Sequence, residues 1–494
     1  MKSNKYINDR GYILRKESLS FSQIKKIKKD LLVSPFVNSS YGTKATPFPI
    51  YLEGTKKIYL PLHYGIEEYG SPESIDISKG DSIHIEFKGE LREKQLPAYN
   101  KFIENCSLNN PIDYSKMTNG GIISLPCGYG KTILSLYLIC KLQKKALVIV
   151  HKEFLVNQWI ERIEQFIPEA KVGIIQGSTF DIEGKDIVLG MLQSISMKEY
   201  PIDAFSSFGF TIIDECHHIA AEVFSRALPK INSYYNLGLS ATPKRKDGLS
   251  KVFHWYLGPM IYEVKKRENT PIQINSLLYT SNDKEYNTEE INFTGKICAP
   301  KMINKITENG RRTHMIIEVL RILLKQKKKI LVLSDRRNHL KTIYDIISRN
   351  KLASIGYYIG GMKQEELKKS ENNQILLGTY TMSSEGMDIP DLNAVVFASP
   401  KSDIIQSIGR ILRKQHPETP VAWDIVDNSI QIFKNQYRKR CTYYKKMKYP
   451  IHSYVVNDDI NEPIEKYFPC LSCPTSDTKP AKKILTEYCF QDDE

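Results

Sequence analysis

The run Ile122-Ile123-Ser124-Leu125-Pro126-Cys127-Gly128-Tyr129-Gly130-Lys131-Thr132 passes from a short apolar strand through a tight, glycine-containing loop. It opens directly onto an apolar helix carrying Ile133, Leu134, Leu136, Leu138 and Ile139. That order of parts is a phosphate-binding loop. Gly128 and Gly130 let consecutive backbone N–H groups turn inward on a polyphosphate, the helix N-terminus adds positive potential, and Lys131 brings a full charge. Thr132 then presents its hydroxyl to a Mg²⁺ that bridges the outer phosphates. The loop departs once from the pattern G-x-x-x-x-G-K-[ST], since Leu125 stands where the first glycine belongs.

Working outward, Ala146-Leu147-Val148-Ile149-Val150 reads as a buried parallel strand, and His151-Lys152-Glu153-Phe154-Leu155-Val156-Asn157-Gln158-Trp159 leads into a helix. Ile187-Val188-Leu189 and Gly209-Phe210-Thr211-Ile212-Ile213 continue the alternation, which predicts a doubly wound parallel sheet with its ligand at the strand C-terminal ends. Asp214-Glu215-Cys216-His217 follows the last of these strands. Adjacent carboxylates there suit a metal–nucleotide site, with Asp214 holding Mg²⁺ and Glu215 orienting or deprotonating the attacking water. Leu239-Ser240-Ala241-Thr242-Pro243 closes a further strand with two hydroxyl residues suited to relaying the nucleotide state. Upstream, Gln95 in Leu91-Arg92-Glu93-Lys94-Gln95 both donates and accepts, so it is a candidate for reading adenine.

From 265 to 300 the alternation fails and Lys-, Asn- and Thr-rich sequence predicts an interdomain connection. A second α/β series then spans 301–448, with a helix over 311–327 and strands at 329–333 and 375–379. It has no G-K-T. It carries instead Ser384-Glu385-Gly386-Met387-Asp388-Ile389-Pro390 and Gln406-Ser407-Ile408-Gly409-Arg410-Ile411-Leu412-Arg413. Arg410 and Arg413, three apart on an expected helix, share a face, and planar charged forks suit a transferring phosphoryl group. A tail helix over 429–448 interleaves Lys434, Arg438, Lys439, Arg440, Lys445 and Lys446 with Tyr437, Tyr443 and Tyr444. It reads first as a solvated amphipathic helix and second as a surface for a phosphate backbone and bases. Residues 449–494 are expected as a C-terminal tail, loosely ordered in its last residues around Pro474-Thr475-Ser476-Asp477, and Cys470 and Cys473 within it have half of a zinc spacing. Residues 1–88 form a small α+β module, with a Ser20-capped basic helix and a hairpin turning at Gly54-Thr55.

Composition bounds the partners. Of 494 residues, 41% are hydrophobic and 26% charged, which fits a globular protein of about three domains. No apolar run approaches the ~20 residues of a membrane span, and the start lacks a signal-peptide pattern. An intracellular protein is expected, with nine scattered cysteines as free thiols. Lys plus Arg number 70 against 56 Asp plus Glu, a net charge of +14 that favours a polyanionic partner.

Taken together, Leu91 to Gln95, G-Y-G-K-T, H-K-E-F-L-V-N-Q-W, D-E-C-H, L-S-A-T-P-K-R-K-D-G, S-S-E-G-M-D-I-P and Q-S-I-G-R-I-L-R resemble a superfamily 2 helicase over residues 90–448. The shortened phosphate loop is common in that superfamily. H-K-E-F and Pro243-Lys244-Arg245-Lys246-Asp247-Gly248 look more like the XPB branch, phage recombination helicases and the helicases of large cytoplasmic DNA viruses, the poxvirus transcript-release helicase among them, than like DEAD-box RNA helicases. The resemblance implies two tandem RecA-like domains, at 89–264 and 301–448, that use ATP and Mg²⁺. By motif matching, Gln95 reads adenine, Gly128, Gly130, Lys131 and Thr132 hold phosphates and metal, and Asp214 and Glu215 serve metal and water. His217, Ser240 and Thr242 couple hydrolysis to movement, Gly386 and Asp388 lie near the ribose, Gln406 near the γ-phosphate, and Arg410 and Arg413 complete the site.

The expected partner is DNA or RNA, gripped mainly by its backbone, with no membrane involved. The resemblance implies a monomeric motor that works with transcription or replication machinery; in a virus it would act in the host cytoplasm, with the virion as a further location. Two competing functions are a non-unwinding nucleic-acid scaffold and the motor subunit of a restriction-type nuclease. Intact Lys131, Glu215 and Arg413 oppose the first, and the short C-terminal stretch opposes the second.

Overall fold

The computed structural model describes residues 3–36, 46–106, 119–126, 128–201, 203–220, 222–241, 245, 247–264, 271–293, 295–385, 387, 389–412 and 416–458. Cys127, Thr242, Gly386, Asp388, Arg413, Cys470 and Cys473 lie outside them. The chain divides into two compact units, Met1–Arg267 and Glu268–Glu494.

The first unit is built on an eight-stranded sheet in the order Thr179–Phe180, Val172–Gln176, Ile187–Met191, Ala146–Val150, Phe210–Ile213, Tyr235–Ser240, Gly120–Ser124, Met260–Glu263. Every ladder is parallel except that of the short Thr179–Phe180 edge. The central strands are buried along their length and largely apolar, with Thr211 and Asn236 among the buried exceptions, because both faces of the parallel sheet are covered. Side chains alternate between two cores: Ala146, Val148 and Val150 face one, Leu147 and Ile149 the other. The first core takes helices Leu96–Cys106, Lys131–Leu142 and Glu153–Phe166.

The second core runs without interruption into the N-terminal residues. Tyr12, Ile58, Leu60, Leu62 and Tyr64 belong to the same buried cluster as Leu147, Ile149, Phe253 and Leu257. Tyr64 meets Trp255 edge to face at 5.1 Å, and the Tyr256 hydroxyl donates to the Ile50 carbonyl at 2.7 Å. Residues 1–88 do form an α+β module, a five-stranded sheet with helices Phe21–Asp30 and Leu62–Tyr69. Ser20 caps the first helix, accepting from Gln23 N while Gln23 Oε1 accepts from Ser20 N. Residue 88 is nevertheless no break in packing. Each large apolar side chain buried in the shared layer contributes about 1.5–3 kcal/mol.

The second unit has a seven-stranded, wholly parallel sheet ordered Ile355–Tyr358, Ile375–Gly378, Ile330–Leu333, Ala394–Phe397, Val421–Asp427, Gln273–Thr280, Ile451–Asn457. Two sequence expectations are corrected here. The expected connection at 265–300 supplies Gln273–Thr280, an interior strand, and the expected tail from 449 supplies Ile451–Asn457 beside it. The first was concealed by polar residues, since Asn275 and Ser276 are fully buried in mid-strand.

Among the described residues, two ion pairs are fully buried inside this unit. Arg312 bonds Asp427 and the Ala398 carbonyl, while the Tyr286 hydroxyl donates to the same carboxylate. Arg440 bonds Asp424 through Nε and Nη2 at 2.8 Å, donates to the Lys401 carbonyl, and Tyr444 donates to Asp424 at 2.9 Å. The tail helix, Gln431–Lys446, therefore turns Arg440 and Tyr444 inward, and neither is part of a solvated basic face. No helix among the described residues is long and apolar enough to cross a membrane.

Candidate nucleotide site

The C-terminal ends of four neighbouring strands of the first unit bring the motifs together: Gly120–Ser124 leads to the glycine loop, Ala146–Val150 to His151, Phe210–Ile213 to Asp214, and Tyr235–Ser240 to Ala241. Gly130 caps helix Lys131–Leu142 with φ +93°, and a Cβ there would stand 2.6 Å from Gln95 Nε2. Only glycine fits that contact and that backbone. Gln95 is buried, donating from Nε2 to the Gly130 carbonyl at 2.9 Å and accepting from Arg92 N at 2.9 Å. The Tyr129 hydroxyl donates to the Lys94 carbonyl at 2.9 Å, so the turn at Glu93–Gln95 straps the loop from below.

Lys131 Nζ is paired with Glu215 Oε1, with 13% and 17% of the two side chains exposed. The other Glu215 oxygen accepts from Ala241 N at 3.3 Å and lies 3.4 Å from His217 Nδ1. His217 Nδ1 also meets Ser240 Oγ at 3.0 Å. Glu215 has φ +48°, a left-handed backbone that a non-glycine residue seldom adopts and that collects at functional sites. Burial pushes its carboxyl up, but Lys131 and then His217 outweigh this and hold it down at about 2. Asp214 is shifted the opposite way, raised by burial against the opposing pull of Lys131. Burial also lowers the His217 imidazole, against the opposing pull of Glu215.

Trp159 is a site residue that the motif reading left without a role. Its indole Nε1 donates to Asp214 Oδ2 at 3.1 Å from helix Glu153–Phe166, where it is 1% exposed. The available signal was a tryptophan closing H-K-E-F-L-V-N-Q-W, because a buried indole needs an acceptor. Asp214 and Thr132 are hard oxygen donors, the chemistry that Mg²⁺ takes through one or two protein ligands plus water and phosphate. Among the described residues no three His, Cys, Asp or Glu side chains gather into a metal cage.

In the second unit the expected helix carrying Arg410 is corrected to a single turn, Ile405–Ile408, closed by Gly409. Gln406 lies on that turn. Arg410 is buried, donating from Nε to the Ser383 carbonyl and from Nη1 to the Met387 carbonyl at 2.7 Å. Its guanidinium thus ties down both flanks of the Gly386 segment.

Comparison with known proteins agrees with the geometry. Residues 88–245 match the family described as type III restriction enzyme, res subunit, and residues 312–415 match the helicase conserved C-terminal domain. A protein of Acanthamoeba polyphaga mimivirus, named as an ATP-dependent RNA helicase, is 36% identical over 490 residues, 97% of this chain and 90% of its own length. The chain belongs to the superfamily 2 helicases. A helicase of invertebrate iridescent virus 6 shares 29% identity over 75% of this chain and 84% of its own. Yeast Dbp5 bound to RNA and ADP BeF3 superposes with a TM-score of 0.51 at 13% identity, covering 77% of this helicase and 97% of Dbp5. At that identity the likeness speaks for the fold, and the two parallel sheets of this helicase are a tandem RecA-like core.

Proposed function

We propose that this helicase hydrolyses ATP to move along a nucleic-acid backbone, with the eight-stranded sheet of the first unit in its ATP-binding lobe and the seven-stranded sheet of the second, Gln273–Thr280 and Ile451–Asn457 included, in its second lobe. The observation that carries the reading is the pairing of Lys131 with Glu215. An entering triphosphate offers Lys131 a stronger anion than a single carboxylate. Lys131 then leaves Glu215 for the outer phosphates. Glu215, held ionised, is released to orient and deprotonate water. Gly128, Gly130 and Thr132 complete the phosphate cradle.

Asp214 and Thr132 would hold Mg²⁺, which when bound neutralises charge on the phosphates. Trp159 orients Asp214, and Gln95 keeps the loop in shape while its remaining N–H and lone pair serve adenine. Loss of the γ-phosphate returns Lys131 to Glu215 and resets His217 against Ser240, so that Ser240 and Thr242 transmit the change. Gly386, Asp388, Gln406, Arg410 and Arg413 are proposed to act on the same nucleotide, as the resemblance implies, with Arg410 also bracing the Gly386 segment.

The net charge of +14 supports backbone binding that weakens with salt. The test is ATP turnover titrated with single-stranded DNA, duplex DNA and RNA at fixed salt, with and without Mg²⁺. Stimulation by one of these polymers supports the reading and identifies the track. Turnover indifferent to all three would leave an ATPase without a motor.

A further inference from the structure

The stretch Arg245-Lys246-Asp247-Gly248 follows the Ser240 strand, and the described parts of it bind back to the D-E-C-H turn. Arg245 Nη1 donates to the His217 carbonyl. The rest of the fork is held by Asp247, with Nε on Oδ1 at 2.9 Å and Nη2 on Oδ2. Arg245 N donates to Ser250 Oγ at 2.8 Å and Leu249 N to Asp247 Oδ1 at 3.2 Å, so both members of the pair are fixed to the start of helix Ser250–Leu257. The Asp247 carbonyl in turn accepts from Phe36 N at 2.9 Å. A chain of bonds therefore runs from the N-terminal module through Asp247 and Arg245 to the backbone of His217.

His217 lies in the short 3-10 turn Cys216–Ala220, a geometry whose hydrogen bonds are poorer than those of an α-helix. Its ring nevertheless must stay within reach of both Ser240 and Glu215. A guanidinium is suited to hold it, being a rigid fork that is always charged and able to bond an acid and a carbonyl at once. We infer that Arg245, locked by Asp247, is a positioning residue for hydrolysis that fixes the His217 backbone so that its imidazole stays on Ser240 and Glu215. The inference rests on the ATPase reading for its functional half only.

The experiment compares full-length Arg245→Ala, Arg245→Lys and Asp247→Asn with the unaltered chain, first by amide hydrogen exchange without nucleotide. Peptides covering 214–220 should exchange about tenfold faster in all three, the scale of losing one charge-assisted hydrogen bond, while those of the second unit stay unchanged. Turnover should then fall about tenfold, as when a partner orienting a reacting group is lost, with nucleotide affinity kept within about twofold. Lys should not rescue, because an ammonium cannot bond the acid and the carbonyl as one planar fork. Unchanged exchange over 214–220 in the folded Lys and Asn variants would overturn the inference. So would a loss confined to nucleic-acid affinity with a shallower salt dependence, the mark of a phosphate contact. If the unaltered chain hydrolyses no ATP, the functional reading fails while the exchange result still decides the bracket.

Discussion

In the first unit Lys131 meets Glu215 at the rim of a sheet, with 13% and 17% of the side chains exposed; in the second, Arg312 meets Asp427 with none. The rim pair is one flexible ammonium on a carboxylate shared with His217 and Ala241 N. Each interior pair is a planar fork whose carboxylate also takes a tyrosine hydroxyl and whose remaining N–H goes to a backbone carbonyl. The difference is one of exchangeability. A ligand can displace Lys131 from Glu215 because water and phosphate reach the pair, whereas nothing can reach Arg312 without unfolding its surroundings.

Four measurements break or sharpen that contrast. Glu215→Gln should cost about 10²–10⁴ in ATP turnover, the range for a lost general base, yet destabilise the fold less than the loss of an interior partner does, since 13% and 17% of the two side chains remain in reach of water. A large stability loss would make it a structural pair like the others. Arg312→Met should do the reverse, removing about 3–5 kcal/mol by stranding Asp427 in the interior. Trp423 is fully buried in the same unit, and its fluorescence during denaturation reports the loss. The double change with Asp427→Leu should restore most of it.

The third measurement concerns a buried ionisable group given no hydrogen-bond partner at all. His63 is 3% exposed with neither ring nitrogen bonded, and burial, then nearby His254, lowers its imidazole to about 4. Unfolded, it titrates near 6.5, so between 6.5 and 4 the unfolded chain binds the extra proton. Stability of the first unit must therefore fall as pH drops through that window, by about 3 kcal/mol from this residue. His63→Leu should flatten the pH dependence of thermal melting accordingly. Smallest, Trp159→Phe should lower turnover about threefold to tenfold by freeing Asp214 from its indole donor. No change in turnover would mean that Asp214 needs no orienting partner.

The same contrast explains what the amino-acid order disclosed. Lys131, Asp214 and Glu215 stand at fixed offsets from apolar strands because a phosphate site dictates residue type and spacing together, so they were legible. Fully apolar runs such as Ala146–Val150 likewise announce buried parallel strands. Arg312 and Asp427 are 115 positions apart, and nothing local distinguishes that arginine from its exposed neighbour Arg311. Arg440 was hidden in the same way among lysines. Gln273–Thr280 escaped notice because its buried Asn275 and Ser276 mimic a linker, and the role of Trp159 depends on a fold-level encounter 55 residues away.

The layer joining residues 1–88 to the ATP-binding lobe has a practical outcome. Cutting the gene at the apparent border would strip helix Leu62–Tyr69 from helix Ser250–Leu257, baring Trp255 and leaving the Tyr256 hydroxyl without the Ile50 carbonyl, and the shortened product would clump instead of yielding a smaller engine. A change of volume on one side of that seam is felt on the other, because Tyr64 and Trp255 share a single close-packed contact.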